Sequence, residues 1–471
     1  MKNKQMKSIL IKLGISILPI SVLSCKTATD KPNILFIMAD DLGKEFISSY
    51  GAANIKTPNI DALAEHGMQF TNAYSMPQCT PTRVTLLTGK YPWRTGWVNH
   101  WDVPRWGVGY FDWKQRENKT VANIMKEMGY VTCAAGKWQV NDFRIEPNAM
   151  EKHGFDQWAM WTGSETNNPG SGRRYADPYI NTREGSKTYE GAFGPDVFTD
   201  YLIDFMERHK DEPMFLYYPM VLPHGPFVPT PDEPYLEGNQ ERFEGMVRYI
   251  DKLVGRLVES LDNLDILNKT IVIFTTDNGS PGGMMGKIDG RNVKGGKAAL
   301  EEPGTAIPFI VSCPGIVPEA VVTDALTDFT DLLPTFTELG GGKVPDDITI
   351  DGVSIAPLIL GKKEDTDREW IMSMGRFPAI LDEKGIRGRD DFASRVIRDK
   401  RYKVWVSEEK EITRLHDLLK DPWEENNLVN SEITEHKAAL GKFQEVVNSL
   451  PDRDARPLYE PRNPNPWDRK P

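Results

Sequence analysis

The sequence predicts an α/β protein: a large, mostly parallel β-sheet sandwiched by helices, followed by a smaller C-terminal α+β subdomain with an antiparallel sheet. Three observations lead there. Between Lys31 and about residue 360, short apolar runs alternate with amphipathic stretches, the pattern of βα units. The runs are mostly apolar and carry no charge, as strands covered on both faces must be. Beyond Gly361 the texture changes to a charged stretch and then a period-two alternation over residues 395–406.

The elements follow in chain order. The first 24 residues carry Lys2, Lys4, Lys7 and Lys12 and no acid, then an apolar stretch over 13–23 interrupted by Gly, Ser and Pro. Too short and broken for a membrane span, this segment (1–24) reads as an export signal. Residues 22–25, Val-Leu-Ser-Cys, resemble a bacterial lipoprotein signal. Cys25 would then be lipidated and become the mature N-terminus, anchoring an exported protein in the periplasm or at the outer membrane; an ordinary signal peptide is the alternative. Strands are expected at 34–38, 131–135, 214–218, 271–276 and 309–313, and helices at 59–66, 121–128 and 198–209. The Gly-rich part over 169–194 reads as a surface excursion. Residues 31–360 form the main domain and 361–471 the C-terminal subdomain on this reading.

Composition narrows the function. The 471 residues are 39% hydrophobic and 27% charged, enough to bury a large core. Net charge is -11, and loss of the four lysines with the first 24 residues takes it to -15. So acidic a body argues against nucleic-acid binding, which needs a basic face. An anionic substrate stays possible if cations gather inside the pocket. Four cysteines (Cys25, Cys79, Cys133 and Cys313) are too few for a disulfide framework, and the last two read as buried inert thiols.

The polar residues fall at strand ends. Asp40 and Asp41 follow the first strand, Lys137 the second, His224 the third, and Asp277 and Asn278 the fourth. Carboxyl ends of parallel strands share one edge, where ligands bind. Asp40, Asp41, Asp277 and Asn278 offer only oxygen, which suits a hard cation such as Ca²⁺. The first pair alone would fit equally a helix N-cap with a solvated neighbour; the second pair tips the reading toward a metal. Cys79-Thr80-Pro81-Thr82-Arg83, with Thr88-Gly89 after it, places Pro81 in the first turn of a helix and Cys79 at its N-terminus. In isolation that fits a low-pKa thiol just as well.

Cys-x-Pro-x-Arg followed by Thr-Gly resembles the hallmark of the type I sulfatases, within the alkaline phosphatase superfamily. Residues 31–43 (KPNILFIMADDLG), 57–74 (TPNIDALAEHGMQFTNAY), 87–95, 277–279, 331–340 (DLLPTFTELG) and 415–428 follow the family pattern too. The resemblance implies an alkaline phosphatase-like fold and hydrolysis of sulfate esters. It further implies that Cys79 is oxidised to formylglycine (3-oxoalanine) by a dedicated maturation enzyme. Asp40, Asp41, Asp277 and Asn278 would be the Ca²⁺ ligands, with the modified Cys79 completing the set. One hydroxyl of the hydrated aldehyde would attack sulfur, and deprotonation of the other would expel sulfate. Arg83 would steady the hydrate and the metal-side carboxylates, and Lys137 and Lys297 would neutralise charge on the sulfuryl oxygens. His224, in Pro-His-Gly-Pro-Phe, would protonate the leaving group. The alternatives are an ordinary surface charge, the commoner fate of a lysine taken alone, and for the histidine a turn cap.

Two positions depart from the family pattern. The family commonly reads Gly-Lys-Trp-His, whereas here Gln139 follows Trp138. Glutamine hydrogen-bonds but takes up no proton, so Gln139 is kept as a positioning group. Around residues 294–308 the resembled motif has a glycine at Pro303 and an arginine at Ala306.

Trp97, His100, Trp101, Arg105, Trp106, Tyr110 and Trp113 cluster after the Cys79 helix. Aromatic faces stack on sugars and arginine pairs with sulfate or carboxylate, which makes His100, Trp101 and Arg105, with Lys137, His224 and Lys297, the substrate-binding candidates. A loop that anchors its aromatics in the core is the alternative. The expected substrate is a sulfated polysaccharide or its oligosaccharides, with no membrane contact beyond the lipid anchor. Competing functions are a non-catalytic glycan-binding lipoprotein of the same fold, favoured by Gln139 and Ala306, and a phosphatase or phosphodiesterase of the superfamily. The latter usually needs a His-rich two-metal site, against seven histidines in all here, and gives Cys79 no role.

Overall fold

A computed structural model describes residues 31–98, 119–141, 143–144, 146–163, 165, 168–375, 380–382, 385–387 and 391–455. Cys25, His100, Trp101, Arg105, Trp106, Tyr110 and Trp113, and the whole of 1–24, lie outside them.

The main sheet has ten strands. In spatial order they are Val321–Thr323, Gly67–Phe70, Phe309–Ser312, Thr270–Thr276, Asn33–Ala39, Met214–Pro219, Val131–Lys137, Gln157–Trp161, Tyr179–Thr182 and Gly185–Thr188. The middle five, from Thr270–Thr276 to Gln157–Trp161, run parallel. Asn33–Ala39 shows why the runs are apolar throughout. Ile34, Phe36 and Met38 enter the core on one face, while Leu35, Ile37 and Ala39 enter the core on the other.

Helices cover both faces. On one lie Cys79–Thr88, Val121–Glu127 and Leu332–Leu339; on the other Gly194–His209 and Asn239–Asn263. The last buries Phe243, Met246, Val247, Ile250, Leu253, Val254, Leu257 and Leu261, a single stripe at helical spacing. A separate antiparallel sheet, Ile371–Met374, Arg395–Arg398, Tyr402–Val406 and Ile412–Asp417, packs with the helix Thr434–Ser449 on a third core that also takes in Met76, Tyr91 and Val98. Among the described residues no helix is long and apolar enough to cross a membrane.

Two sequence expectations change. Phe309–Ser312 is a strand, but it runs antiparallel to Thr270–Thr276. Only hairpin and turn structure separates them, so no crossover returns the chain to the opposite edge, and it must re-enter where it left. The supposed excursion over 169–194 adds the hairpin Tyr179–Thr182/Gly185–Thr188 to the sheet's end. Its second strand is exposed and polar, which left no apolar signal to read.

Two buried groups carry testable stability. The helix Pro58–Glu65 has no side-chain cap of its own; Asp251, from the long helix, accepts from the backbone N–H of Asn59 and of Ile60, each at 2.9 Å. Asp251→Ala leaves both donors without their acceptor, the Ile60 N–H in a buried setting, and should cost about 1–2 kcal/mol in urea unfolding. His153 is fully buried, its Nε2 3.1 Å from Asn141 Oδ1 and its ring edge-on to Trp138. Burial, with Lys152 nearby, pulls its pKa down to about 3. The unfolded histidine, near 6.5, takes a proton that the folded one refuses. Stability is therefore whole above about pH 6.5 and falls on acidification toward pH 3, by at most about 1.4 kcal/mol per pH unit. Urea midpoints at about pH 7 and 5 should differ less in His153→Gln than in the parent protein.

Candidate active site

The site sits where the central strands end. Asn33–Ala39 and Thr270–Thr276 are in register to their last pair, Ala39 with Thr276, so Asp40 and Asp277 leave the sheet side by side. Asp41 then adopts a left-handed backbone (φ +68), and its N–H donates to Asp277 Oδ1 at 3.1 Å. Asn278 Nδ2 donates to Asp41 Oδ1 at 2.9 Å. Gly136, next to Lys137, has φ +126, and a Cβ there would lie 2.0 Å from the Pro219 carbonyl oxygen. Only glycine lets that strand end so close to its neighbour.

Cys79 begins the helix Cys79–Thr88, all ten residues of which are buried, and Gly89 closes it in the left-handed conformation. The helix is pinned to the metal-side loop: Thr82 Oγ1 lies 2.7 Å from the Asp277 carbonyl oxygen. One turn along from Cys79, Arg83 Nη2 donates to Asp277 Oδ2 at 2.7 Å, and its Nη1 to the Lys137 carbonyl at 2.8 Å. Cys79 Sγ lies 3.5 Å from Gln139 Oε1. Ligand atoms of Asp40, Cys79 and Asp277 lie within 4.8 Å of one another, as do those of Asp40, Asp41 and His224.

Cations answer the carboxylates one for one. Lys137 Nζ is 2.6 Å from Asp40 Oδ2, and Lys297 Nζ is 2.6 Å from Asp41 Oδ2. Burial alone would raise Asp40, but Lys137, His224, Arg83 and Lys297 hold it well below the usual carboxylate range. Burial and then Asp40 press Asp277 upward, to about 7, with Arg83 opposing. Burial pushes the Cys79 thiol up, against Lys137 and Lys297, so it does not behave as the low-pKa thiol a helix N-terminus could have made. Cys133 and Cys313 are likewise buried and raised, Cys313 to about 12, as inert thiols should be.

Whether these residues fit a cation can be judged from their oxygens. Asp40 Oδ1 and Asn278 Oδ1 are buried without a hydrogen-bond partner, an expensive condition for a polar atom. Both belong to the oxygen-only set, and both gain a partner if a hard cation lies between them. The donor set fits.

His224 completes the rim, its Nε2 3.6 Å from Asp41 Oδ2. Burial pulls it down to about 4 although Asp41 opposes, so at neutral pH the ring is uncharged. Behind it stand residues that sequence reasoning missed. Arg174, 8% exposed, lies 2.8 Å from His224 Nδ1 and over the Trp161 ring, and the Tyr175 hydroxyl donates to the backbone of Val221. They sit some fifty residues from His224 in an unpatterned stretch, and no local signal marks them. Trp97, grouped above with sugar-binding aromatics, is fully buried in the main core instead. Its apolar neighbours supply the reason, since a large aromatic gains more from burial than from a solvent rim.

Comparison with known proteins is consistent with this geometry. A family model described as Sulfatase matches residues 32–342, and one described as N-sulphoglucosamine sulphohydrolase, C-terminal, matches 296–449. An ulvan-active sulfatase of Formosa agariphila is 28% identical over 451 residues, covering 88% of this chain and 82% of the relative. An N-acetylgalactosamine-6-sulfatase of Canis lupus familiaris is 31% identical over 369 residues, 71% of this chain and 67% of the relative. Among solved structures, a sulfatase of glycosaminoglycan metabolism from Bacteroides thetaiotaomicron superposes with a TM-score of 0.70 at 26% identity, over 89% of this chain and 99% of that one. Ps i-CgsB with a bound neocarrahexaose gives 0.74 at 24% identity, over 91% and 94%, a likeness of fold.

Proposed function

The chain belongs to the sulfatase family and is a sulfuric ester hydrolase, and from that premise we propose that it desulfates a sulfated polysaccharide or its oligosaccharides, using a formylglycine made from Cys79 and a bound Ca²⁺. One observation carries the reading: a buried cysteine at a helix start within 4.8 Å of two carboxylates from separate strand ends. The carbohydrate substrate is supported by relatives named for ulvan and for N-acetylgalactosamine 6-sulfate.

Asp40, Asp41, Asp277 and Asn278 would hold the ion. When present, the aldehyde hydrate supplies the attacking oxygen and the ion supplies positive field at the sulfate. The rest falls to this chain's own residues. Arg83, locked between Asp277 and the Lys137 carbonyl, fixes the Cys79 helix against the metal loop. Lys137 and Lys297 offer ammonium charge to the sulfuryl oxygens. His224 Nε2, at the open rim, is placed to give a proton to the leaving sugar oxygen; a sulfate charge beside it raises its proton affinity from the low resting value. Arg174 orients that ring from behind.

Gln139 occupies a position beside Cys79 where a base would help, and its backbone is already in the left-handed region (φ +52). Gln139→His should raise kcat, by up to about 10²-fold, and introduce an ionisation into the pH–rate profile near neutrality. An unchanged rate would place proton removal elsewhere.

Residues 1–24 are read as an export signal with Cys25 as the lipidated N-terminus, 31–360 as the catalytic domain and 361–471 as the C-terminal subdomain. The test is direct. Protein made together with a formylglycine-generating enzyme should lack the Cys79 thiol by mass spectrometry and should release sulfate from sulfated oligosaccharides. Fully modified protein that binds those sugars and releases none would sink the reading, in favour of a glycan-binding relative.

A further inference from the structure

A second cavity, of about 470 Å³, opens beside the active site between the hairpin Met285–Ile288/Arg291–Lys294, the turn Glu302–Thr305 and residues 422–423. Its place in the sheet follows from register: Phe70 pairs with Phe309, and Phe309 with Thr275, the residue two before Asp277. Thr71 and Ala306, which line the cavity, therefore lie at the same sheet edge as the metal carboxylates, displaced sideways by two strands or about 10 Å.

Its lining combines two kinds of group that a charged sugar needs. Tyr50 and Trp423 present aromatic surface. Lys44 and Arg291 bring positive charge. Lys44 Nζ donates to the Thr71 carbonyl at 2.9 Å and lies 5.6 Å from the Tyr50 ring centre, with no carboxylate in ion-pair range among the described residues. Glu45, 2% exposed, also lines the cavity, its Oε1 sealed from solvent.

The acids around it do not cancel the cations. Glu302 is engaged by Lys403 at 2.9 Å and by the Tyr74 hydroxyl. Burial raises Glu45 toward its neutral form. Arg291 pairs with Glu425 at 2.5 Å, but both are about half exposed and the pair is screened. Asp289 alone remains, on the exposed hairpin turn. Ala306, where the family pattern carries arginine, leaves its part of the wall short.

We infer that this cavity is a second glycan site that binds an anionic sugar unit, sulfated or carboxylated, of the same chain whose sulfate is cut at Cys79. The inference rests on the carbohydrate reading above. Lys44 takes the anionic substituent, and Tyr50 and Trp423 flank the sugar ring, Trp423 with Arg291 4.8 Å from its ring centre. Such a site adds effective concentration for a polymer and nothing for a small ester.

The mature protein is compared with Lys44→Gln and Trp423→Ala, and with Ala306→Leu, which narrows the cavity without touching either group. Migration is measured in native gels containing κ-carrageenan (sulfate only), polygalacturonate (carboxylate only) or agarose (neutral). Turnover of an aryl sulfate is measured in parallel. The parent should be retarded by at least one anionic polymer and not by agarose, and the polymer that acts identifies the anion. Each variant should weaken that retardation about tenfold, the equivalent of about 1.4 kcal/mol, with aryl sulfate kcat/KM within about twofold of the parent. Parent protein that no anionic polymer retards, or variants retarded as strongly as the parent, would overturn the second site. Parent protein that is retarded but releases no sulfate would leave this site standing and remove the sulfatase reading.

Discussion

Cys79→Ala is expected to reduce sulfate release by on the order of 10⁴-fold or more while leaving the melting temperature nearly unchanged. The size follows from what the position provides. Among the described residues Cys79 is the only cysteine in the site, 2% exposed, at the start of a helix whose Arg83 and Thr82 are tied to Asp277. Its thiol makes one weak contact, 3.5 Å to Gln139, so removing it takes little from the fold. Cys79→Ser is the sharper control, because it keeps an oxygen of nearly the right size but lacks the sulfur that maturation oxidises. An ordinary serine nucleophile would retain activity; on the formylglycine reading, serine that mass spectrometry shows to be unoxidised should be as inactive as alanine. Sulfate release above about a tenth of the parent rate in either unoxidised variant would end the role given to Cys79.

The site was more legible in the sequence than the fold that surrounds it, for a physical reason. A buried parallel strand carries no charge to its last residue, so the first charged residue beyond it marks the sheet edge: Asp40 after Ala39, Asp277 after Thr276. Those two boundaries brought Asp40, Asp41, Asp277 and Asn278 together on paper, and their side chains do meet. Strand direction carries no such mark. Phe309–Ser312 is as apolar as its parallel neighbours, and only the lack of a crossover before it shows that it runs backward. Arg174 was invisible because its importance lies in a contact with His224 across the fold. The buried chain of Lys403, Glu302, Tyr74 and Arg398, which joins the C-terminal sheet to the loop bearing Lys297, is hidden in the same way.

Electrostatics explains how so acidic a chain handles a sulfate. Three carboxylates in the site face three fixed cations, Arg83, Lys137 and Lys297. The protein alone therefore leaves the pocket near neutral, in a body of net charge -11. A bound divalent ion would tip the pocket positive beside the sulfate, where low dielectric magnifies each charge. Substrate attraction then depends on the metal as much as on any side chain.

Asp277→Asn should therefore lower kcat/KM by about 10³-fold or more and abolish the stabilisation that added Ca²⁺ gives the parent. The carboxylate has two tasks. Its Oδ2 accepts from Arg83 at 2.7 Å, and its Oδ1 accepts from the Asp41 N–H at 3.1 Å. Asparagine keeps one carbonyl oxygen for the Asp41 N–H and loses the charge opposite a fully buried guanidinium, a change worth about 3–5 kcal/mol when one partner of a buried pair is removed. Destabilisation alone would not distinguish a metal ligand from a structural partner of Arg83. The Ca²⁺ response does. At 100-fold above its dissociation constant, a ligand bound only by the folded state adds about 2.7 kcal/mol. If Asp277 serves only Arg83, Asp277→Asn should be less stable yet gain that same increment from Ca²⁺. If it holds the ion, the increment should shrink toward zero, and Arg83→Met, which spares the carboxylate, should retain it.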